Sequence, residues 1–368
     1  MKTIRRLIYG EVLYAVAFVT LGFLSLFFFF DFVEEVQAVG RYAAAGYRIV
    51  HALSYVALMI PSHLYELLPI AVLIGTIFVM ARFAQSSEFT ILRTSGLGPW
   101  RALRALLLLG LGFVALTFAI GDYLSPPADR AAQLLKARYQ GSITVGQTGA
   151  WLKEQRADGQ YAVNVRSMAP DGSMSDVRVF EFDSQGFLRS TLQAESAQFG
   201  ADDAWQMAGV RRTDFPARGA DTARIDRAQL ASYRWPNQIS AEMVAAALLK
   251  PKRMSTIDLF QYIRHLQANS QTAQRYEIEF WRKVFYPLSC LVMVVLALPF
   301  AYLHFRSGGI ANSVFGGVMA GISFFLLNNV FGYMGNLQNW QPWLTAALPG
   351  MIYLALSLTA FGWLVLRR

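Results

Sequence analysis

Six long apolar stretches without a charged residue constrain this chain more than any other feature. They occupy residues 12–30, 67–81, 105–121, 284–303, 310–331 and 343–366, and the second extends back to about residue 60. The hydrocarbon core of a bilayer is about 30 Å thick, so a helix rising about 1.5 Å per residue crosses it with about 20 residues. The sequence therefore predicts six transmembrane helices, three in each half of the chain.

Composition and the N-terminus agree with a membrane protein. The chain is 55% hydrophobic and its mean hydropathy is +0.34, above the apolar share of about 45–50% in soluble domains. A basic start before the first apolar stretch resembles a secretory signal peptide. That stretch is too long and lacks a small-residue cleavage site, so we interpret it as a membrane anchor.

The distribution of basic residues predicts how the helices are oriented. Lys and Arg in short loops are retained on the cytoplasmic side. The loops and ends on one side hold ten of them: Lys2, Arg5, Arg6, Arg82, Arg93, Arg101, Arg104, Arg306, Arg367 and Arg368. Opposite loops hold Arg41 and Arg48, offset by three acidic residues within 31–35. Both termini are predicted to be cytoplasmic, and the long central segment lies on the far side.

That central segment, residues 122–283, is predicted to be a β-rich domain. Apolar and polar residues alternate in 159–166 and 176–182, and turn sequences separate such segments at intervals of about ten residues. This spacing favours a sandwich or jelly roll over a closed barrel. Six aromatic residues are its core candidates: Trp151, Tyr161, Phe180, Phe199, Trp205 and Trp235.

Helical segments are predicted on both sides of the strands. Pro126 and Pro127 are expected to stop the third transmembrane helix before a short helical stretch at 128–138. A helix is expected at 240–249, and Ser255 is placed to cap the next one. Pro287 predicts a kink in the fourth transmembrane helix.

Charge and motifs exclude several functions for the exported domain. Its 21 basic and 18 acidic residues leave +3, which does not indicate nucleic-acid binding. The only cysteine, Cys290, lies in the fourth transmembrane helix, so no disulfide is expected outside it. The chain has no phosphate-binding loop and no G-x-S-x-G elbow, and its four histidines are scattered. We predict neither a metal site nor an ATPase or other catalytic centre.

A complete small helix is predicted in the cytoplasmic loop at 86–96. Ser86 or Ser87 caps its start and Gly96 suits its exit. The charges match the helix dipole, and the apolar residues share a face. The residues concerned are Glu88, Phe89, Leu92 and Arg93. Composition leaves two interpretations open, an amphipathic helix on lipid or a coupling helix in a groove of a cytoplasmic partner.

Other membrane-proximal residues also have two interpretations each. Gly317 and Gly321 form a G-x-x-x-G pattern that allows close helix approach, although such matches occur by chance. The aromatic residues Phe27 to Phe30 suit lipid contact or a ligand surface. Three basic residues beyond the third helix suit solvated snorkelling or an anionic lipid head group: Arg130, Lys136 and Arg138.

Three segments resemble the LptF/LptG family of lipopolysaccharide-export permeases, nearer its LptG branch. They are Leu68-Pro-Ile-Ala-Val-Leu-Ile-Gly75, the loop pattern Ser87-Glu88 through Ser95-Gly96, and the long, specific stretch 275–300. The likeness extends over nearly the whole chain. It implies a domain order of transmembrane helices with a coupling helix at 86–96 (1–121), periplasmic β-jellyroll (122–283) and transmembrane helices (284–368).

The resemblance also implies partners and roles. The chain would be half of an inner-membrane transporter, pairing with an LptF-like permease, an LptB ATPase dimer that binds ATP and Mg, and LptC. It would have no cofactor of its own. Glu88, Phe89, Leu92 and Arg93 would couple to the ATPase, and Lys136 would face lipid phosphates, with Arg130 and Arg138 nearby.

The first and fifth transmembrane helices would form lateral gates for the lipid, with Phe27, Phe30, Gly317 and Gly321 among their residues. One departure stands out, because related permeases can carry lysine near the outer end of the first helix, where this chain has Asp31. Two other classes stay open. A mechanotransmitting ABC subunit usually divides its helices one and three, and an intramembrane acyltransferase needs more polar residues in lipid.

Overall fold

The computed structural model describes residues 2–86, 94, 98–140, 149–156, 159–169, 171–200, 204–216, 224–237, 239, 243–244, 251–302 and 310–363. The chain forms two compact units. One contains Met1–Glu35, Val56–Asp129 and Glu277–Arg368, and the other contains Val36–Tyr55 and Arg130–Tyr276. The first holds most of the apolar helices, and the second holds the β-sheet.

Nine α-helices are described. They are α1 (Lys2–Arg41), α2 (Ile49–Gln85), α3 (Pro99–Ala119), α4 (Ser125–Gln140), α5 (Thr256–Ala268), α6 (Gln274–Phe285), α7 (Ser289–Ala297), α8 (Ile310–Leu337) and α9 (Pro342–Phe361). Five described helices are long and apolar enough to cross a membrane, and α6 with α7 makes a sixth span bent by 47°. The predicted membrane fold with an inserted β domain is confirmed, and so is the kink near Pro287.

The junction of α3 and α4 differs from the prediction. Pro126 and Pro127 do not stop the helix, and they are the second and third residues of α4. A π-helical turn, Ile120–Leu124, precedes them, and the Ser125 N–H donates to the Ile120 carbonyl five residues back. The extra residue in this turn lets one rod run from α3 into α4.

Helix α2 occupies the centre of the membrane unit. On one side Gly75 meets α1 so closely that an added Cβ would lie 2.8 Å from the backbone nitrogen of Val16. On another, Gly317 and Gly321 of α8 leave space for Ile77 and Ile70. At about 100° per residue, Gly75 points roughly 140–160° away from the two isoleucines. Helices α1 and α8 therefore pack on opposite sides of α2.

The β-sheet is an antiparallel meander in the order β1-β2-β3-β4-β5-β6. Its strands are β1 (Ala150–Arg156), β2 (Gly159–Met168), β3 (Met174–Phe182), β4 (Leu188–Phe199), β5 (Ala204–Asp214) and β6 (Asp226–Pro236). Both segments with predicted alternation fall within strands. Each strand pairs with the next in the chain.

This sheet curls strongly. In a flat sheet with strands about 4.8 Å apart, β1 and β6 would be separated by about 24 Å. Instead the Arg156 guanidinium at the end of β1 donates to the Pro236 carbonyl of β6 at 2.7 Å. The rings of Tyr161 on β2 and Trp235 on β6 lie 6.1 Å apart. The curl encloses an apolar interior within a single six-stranded sheet.

Half of the predicted aromatic core lies in that interior. Tyr161, Trp205 and Trp235 are buried. Trp151 is 53% exposed, because Leu152 beside it points inward and successive strand residues alternate in direction. Trp151 stacks on Phe180 at 5.9 Å outside the core. Phe180 and Phe199 are partly buried, so the prediction was wrong for Trp151 and only partly right for these two.

Helix α5 packs beside the sheet. Ser255 caps it as predicted, with a reciprocal capping box in which Asp258 takes part. Beyond its end, the Asn269 side chain accepts a hydrogen bond from the Gln155 N–H on β1 at 2.9 Å. This bond satisfies part of the outer edge of β1. The predicted helix at 240–249 lies mostly outside the described residues.

Candidate functional site

The four predicted coupling residues Glu88, Phe89, Leu92 and Arg93 lie outside the described residues. The C-terminal end of α2, which precedes them in the chain, is held by an ion pair between Arg82 and Glu11 of α1 at 2.7 Å. Both side chains are about one-third exposed, so the pair contributes only modestly to stability. Its position links the first two membrane helices next to the loop.

Lys136, the predicted head-group residue, lies on α4 against the start of α2. Its ammonium group is 4.5 Å from the centre of the Tyr55 ring, within cation–π range. One turn along each helix, the rings of Tyr139 and His51 lie 4.6 Å apart. An aromatic surface therefore holds the lysine in a half-buried position.

Hydrogen bonds define the tautomer of His51. The Arg48 backbone N–H donates to its Nδ1 at 3.1 Å, so the ring proton is on Nε2, which lies 2.9 Å from the Tyr139 hydroxyl. His51 thereby does what Glu does in a capping box, reaching back to the residue before the helix. This bond fixes the beginning of α2 beside Lys136.

The three predicted head-group residues do not share one face of α4. Arg130 forms an ion pair with Asp258, the acidic member of the capping box of α5. Arg138 is exposed. Viewed along the helix axis, Lys136 is rotated by roughly 120–160° from both arginines. The structure thus groups Lys136 with Tyr55, and Arg130 with α5.

The departure at Asp31 has a partner in the structure. Its carboxylate accepts a hydrogen bond from His63 Nε2 of α2 at 2.6 Å. Phe27, one turn earlier on α1, stacks on the same imidazole with ring centres 5.0 Å apart. Phe30 is exposed and contacts Phe29 edge to face. In its C-terminal half, α1 is therefore attached to α2 through His63.

A polar cluster on α6 was not identified as a site from the sequence. Lys283 is buried, and its ammonium group donates to the Gly121 carbonyl of the π-helical turn at 2.9 Å. The Arg282 guanidinium pairs with Glu279 at 3.0 Å and donates to the Asn328 carbonyl of α8. Buried cations in lipid need such acceptors, since an unpaired charge there is costly.

The hydroxyl of Tyr286, at the bend after α6, extends this cluster by donating to the Glu66 carbonyl of α2 at 2.6 Å. Three side chains within five residues thus bond to backbone carbonyls of α2, of α8 and of the π-helical turn after α3. The sequence signal was the charged stretch entering the fourth span, which contributed only to the family resemblance. Its geometry makes α6 the segment that joins the other membrane helices to one another.

No group of three or more His, Cys, Asp or Glu side chains able to hold a metal occurs among the residues that the structure describes. The apolar helices, split three and three around a curled β domain, define a multi-pass membrane protein. Polar bonds join these helices to one another.

Comparison with known proteins identifies the family. The family described as lipopolysaccharide export system permease LptF/LptG matches residues 6–366. The chain belongs to this family. It is 26% identical to the lipopolysaccharide export system permease protein LptG of Escherichia coli K12 over 98% of this chain and 97% of that protein. It is also 26% identical to LptG of Haemophilus influenzae, over 100% of this chain and 99% of that protein.

Proposed function

We propose that this chain is the permease subunit of an ABC transporter that extracts lipopolysaccharide from the outer leaflet of the inner membrane. It passes the lipid to a periplasmic bridge of β-jellyroll domains. It works with an LptF-like permease, an LptB ATPase dimer and LptC. Both termini are cytoplasmic and the β domain is periplasmic.

The placement of α1 and α8 on opposite sides of α2 carries this proposal. Both helices turn large apolar side chains outward, among them Phe18 and Phe29 of α1 and Phe315 and Leu326 of α8. Paired with a related permease, each chain contributes α1 to one seam and α8 to the other. Two such seams are the entrances that a lipid needs to reach a cavity between the two permeases.

Energetics explain why such a cavity and an ATPase are needed. At about 0.8 kcal/mol per CH₂, moving one twelve-carbon acyl chain into water costs about 10 kcal/mol, and the substrate carries several. An apolar cavity replaces the bilayer contacts of these chains. Collapse of that cavity, driven by ATP hydrolysis in the partner, then moves the lipid towards the β domain. Glu88, Phe89, Leu92 and Arg93 receive this motion from the ATPase.

The curled sheet supports a role in transfer. Its interior offers apolar side chains from all six strands to the acyl chains. At β1 the edge is partly occupied by Asn269, whereas β6 is the last strand of the sheet. We propose that a partner's strands continue the sheet at β6, because an open edge is a template for strand addition.

Site-specific photo-crosslinking in vesicles tests the proposal. A photoreactive residue replaces Phe30 of α1, Phe315 of α8, or Leu356 of α9, which is exposed but belongs to neither proposed seam. Vesicles contain lipopolysaccharide and the chain with or without its partner permease and ATPase. We expect lipopolysaccharide adducts at Phe30 and Phe315 that require the partners and change with ATP, and few at Leu356. Equal adducts at all three positions, independent of the partners, contradict the proposal.

A further inference from the structure

Helix α5 has two opposite faces that are both apolar in part. One face packs inside the β unit through Leu259, Ile263 and Leu266, which are buried. On the other face Ile257 is 63% exposed and Phe260 is 51% exposed, one turn apart. A helix that is only a packing element of the β unit has no need for large apolar side chains on its solvent side.

Basic side chains accompany the exposed face. The Arg264 guanidinium lies 6.0 Å from the centre of the Phe260 ring, one further turn along. Residues 251–275 contain Lys252, Arg253, Arg264 and Arg275 against one acidic residue, a balance of +3. That acidic residue, Asp258, is paired with Arg130. A face that combines apolar tips with unbalanced positive charge is complementary to an anionic lipid surface.

The connections of α5 hold both of its ends close to membrane-spanning segments along the chain. At the beginning of α5, Asp258 forms an ion pair with Arg130. Arg130 lies nine residues after Gly121, the end of the third uncharged stretch, which is about 13 Å along a helix. At its end, residues 269–273 lead directly into α6, the first half of the bent span. Along the chain, both connections from α5 to a membrane span are therefore short.

We propose that the exposed face of α5 rests on the membrane surface on the side of the β domain. Ile257 and Phe260 enter the upper acyl region, and Lys252, Arg253 and Arg264 meet anionic head groups. A protein partner fits less well, because a standard interface buries about 800 Å² on each side and a helix of 13 residues with two exposed large apolar side chains offers little of that.

The inference does not depend on the transported substrate, so its test uses the full-length chain alone. Cys290, the only cysteine, is replaced by Ser, and a nitroxide label is attached after Ile257→Cys, Phe260→Cys or Phe187→Cys. Phe187 is an exposed aromatic residue at the β3–β4 turn and serves as the matched control. The chain is reconstituted into vesicles of phosphatidylethanolamine and phosphatidylglycerol, and collisions of the label with oxygen and with a water-soluble nickel chelate are measured.

We expect the ratio of oxygen to nickel collisions to be several-fold higher at positions 257 and 260 than at 187. Replacing Lys252 and Arg253 by Glu should lower that ratio at 260, and so should omitting phosphatidylglycerol. Labels at 257 and 260 that are as accessible to nickel as the label at 187 overturn the proposal. Labels shielded from both oxygen and nickel overturn it too, since they indicate burial against protein.

Discussion

The contact of α1 with α2 at Gly75 gives a prediction whose size follows from the structure. In Gly75→Ala the new Cβ would lie 2.8 Å from the nitrogen and 2.9 Å from the Cα of Val16. Backbone atoms cannot move aside by changing rotamer. The substitution therefore has to push the two helices apart, in contrast to Gly317→Ala, where the nearest atom is the flexible end of Ile77.

The magnitude follows from ordinary contact distances. Carbon atoms pack at about 3.5–4.0 Å, so the shortfall at Gly75 is about 0.7 Å. A gap of that size forfeits about a quarter to a half of the dispersion attraction of the atoms that face it. Val12 and Val16 of α1 are buried in this core. We expect a loss of about 1–3 kcal/mol in the free energy of unfolding, the usual cost of overpacking.

Unfolding of the full-length chain in mixed micelles by increasing fractions of sodium dodecyl sulfate measures this loss. The matched control is Gly22→Ala, since an added Cβ at Gly22 of α1 meets no atom within 4 Å. Both substitutions gain the same helix propensity, about 0.5–1 kcal/mol, so the difference between the variants isolates the contact. If Gly75→Ala unfolds at the same detergent fraction as Gly22→Ala, the close approach of α1 and α2 is refuted.

Three further predictions concern the coupling loop, the head-group residue and the β unit. Glu88→Arg should abolish co-purification with the ATPase while Glu88→Gln weakens it less, because reversal places a positive charge at the positive end of the predicted helix. Lys136→Glu should reduce photo-crosslinking to lipopolysaccharide, whereas Lys136→Arg should retain it, because a cation attracts phosphate. Burial lowers the pKa of His265 below its ordinary value of 6.5, although Glu154 opposes this. The unfolded chain then binds the proton more readily, so the β unit should lose stability as pH falls below about 6.5, and His265→Gln should reduce that loss in urea unfolding.

Each of these has a contrary result. Unchanged co-purification and ATPase activity in Glu88→Arg remove the coupling assignment. An undiminished lipid crosslink in Lys136→Glu removes that lysine from the head-group contacts. For His265, equal pH dependence in the parent chain and the Gln variant means that another group titrates.

Hydropathy predicted the number of spans well because lipid imposes one simple requirement on a helix. It did not predict where the helices end. The first stretch without charge covers residues 12–30, while α1 runs from Lys2 to Arg41, about 60 Å, because a helix continues as long as its backbone bonds are satisfied. The prediction that Pro126 ends the third transmembrane helix was wrong for a related reason. The neighbouring π-helical turn changes the backbone hydrogen bonding, so the missing N–H of the proline does not break the helix.

Strand alternation likewise predicted local structure better than tertiary structure. Leu152 points into the core, so strand alternation places its neighbour Trp151 on the outside. Alternation therefore gives the correct orientation of Trp151, whereas its aromatic character alone does not. The curl that brings Arg156 to Pro236 depends on the accumulated twist of six strands, which no local pattern encodes. The bonds of Lys283 and Tyr286 join residues far apart in sequence, and their acceptors are backbone carbonyls, which carry no residue-specific signal.

The π-helical turn at Ile120–Leu124 changes which backbone carbonyls the helix uses for its own hydrogen bonds. A π-turn contains one residue more than the α-helical turn it replaces and absorbs that residue locally, so the Ser125 N–H donates to Ile120 and not to Gly121. Pro126, the next residue, has no N–H to offer. The Gly121 carbonyl is therefore available to a group from another helix, and the Lys283 ammonium group donates to it at 2.9 Å, so an irregularity within one helix becomes the attachment point of a second.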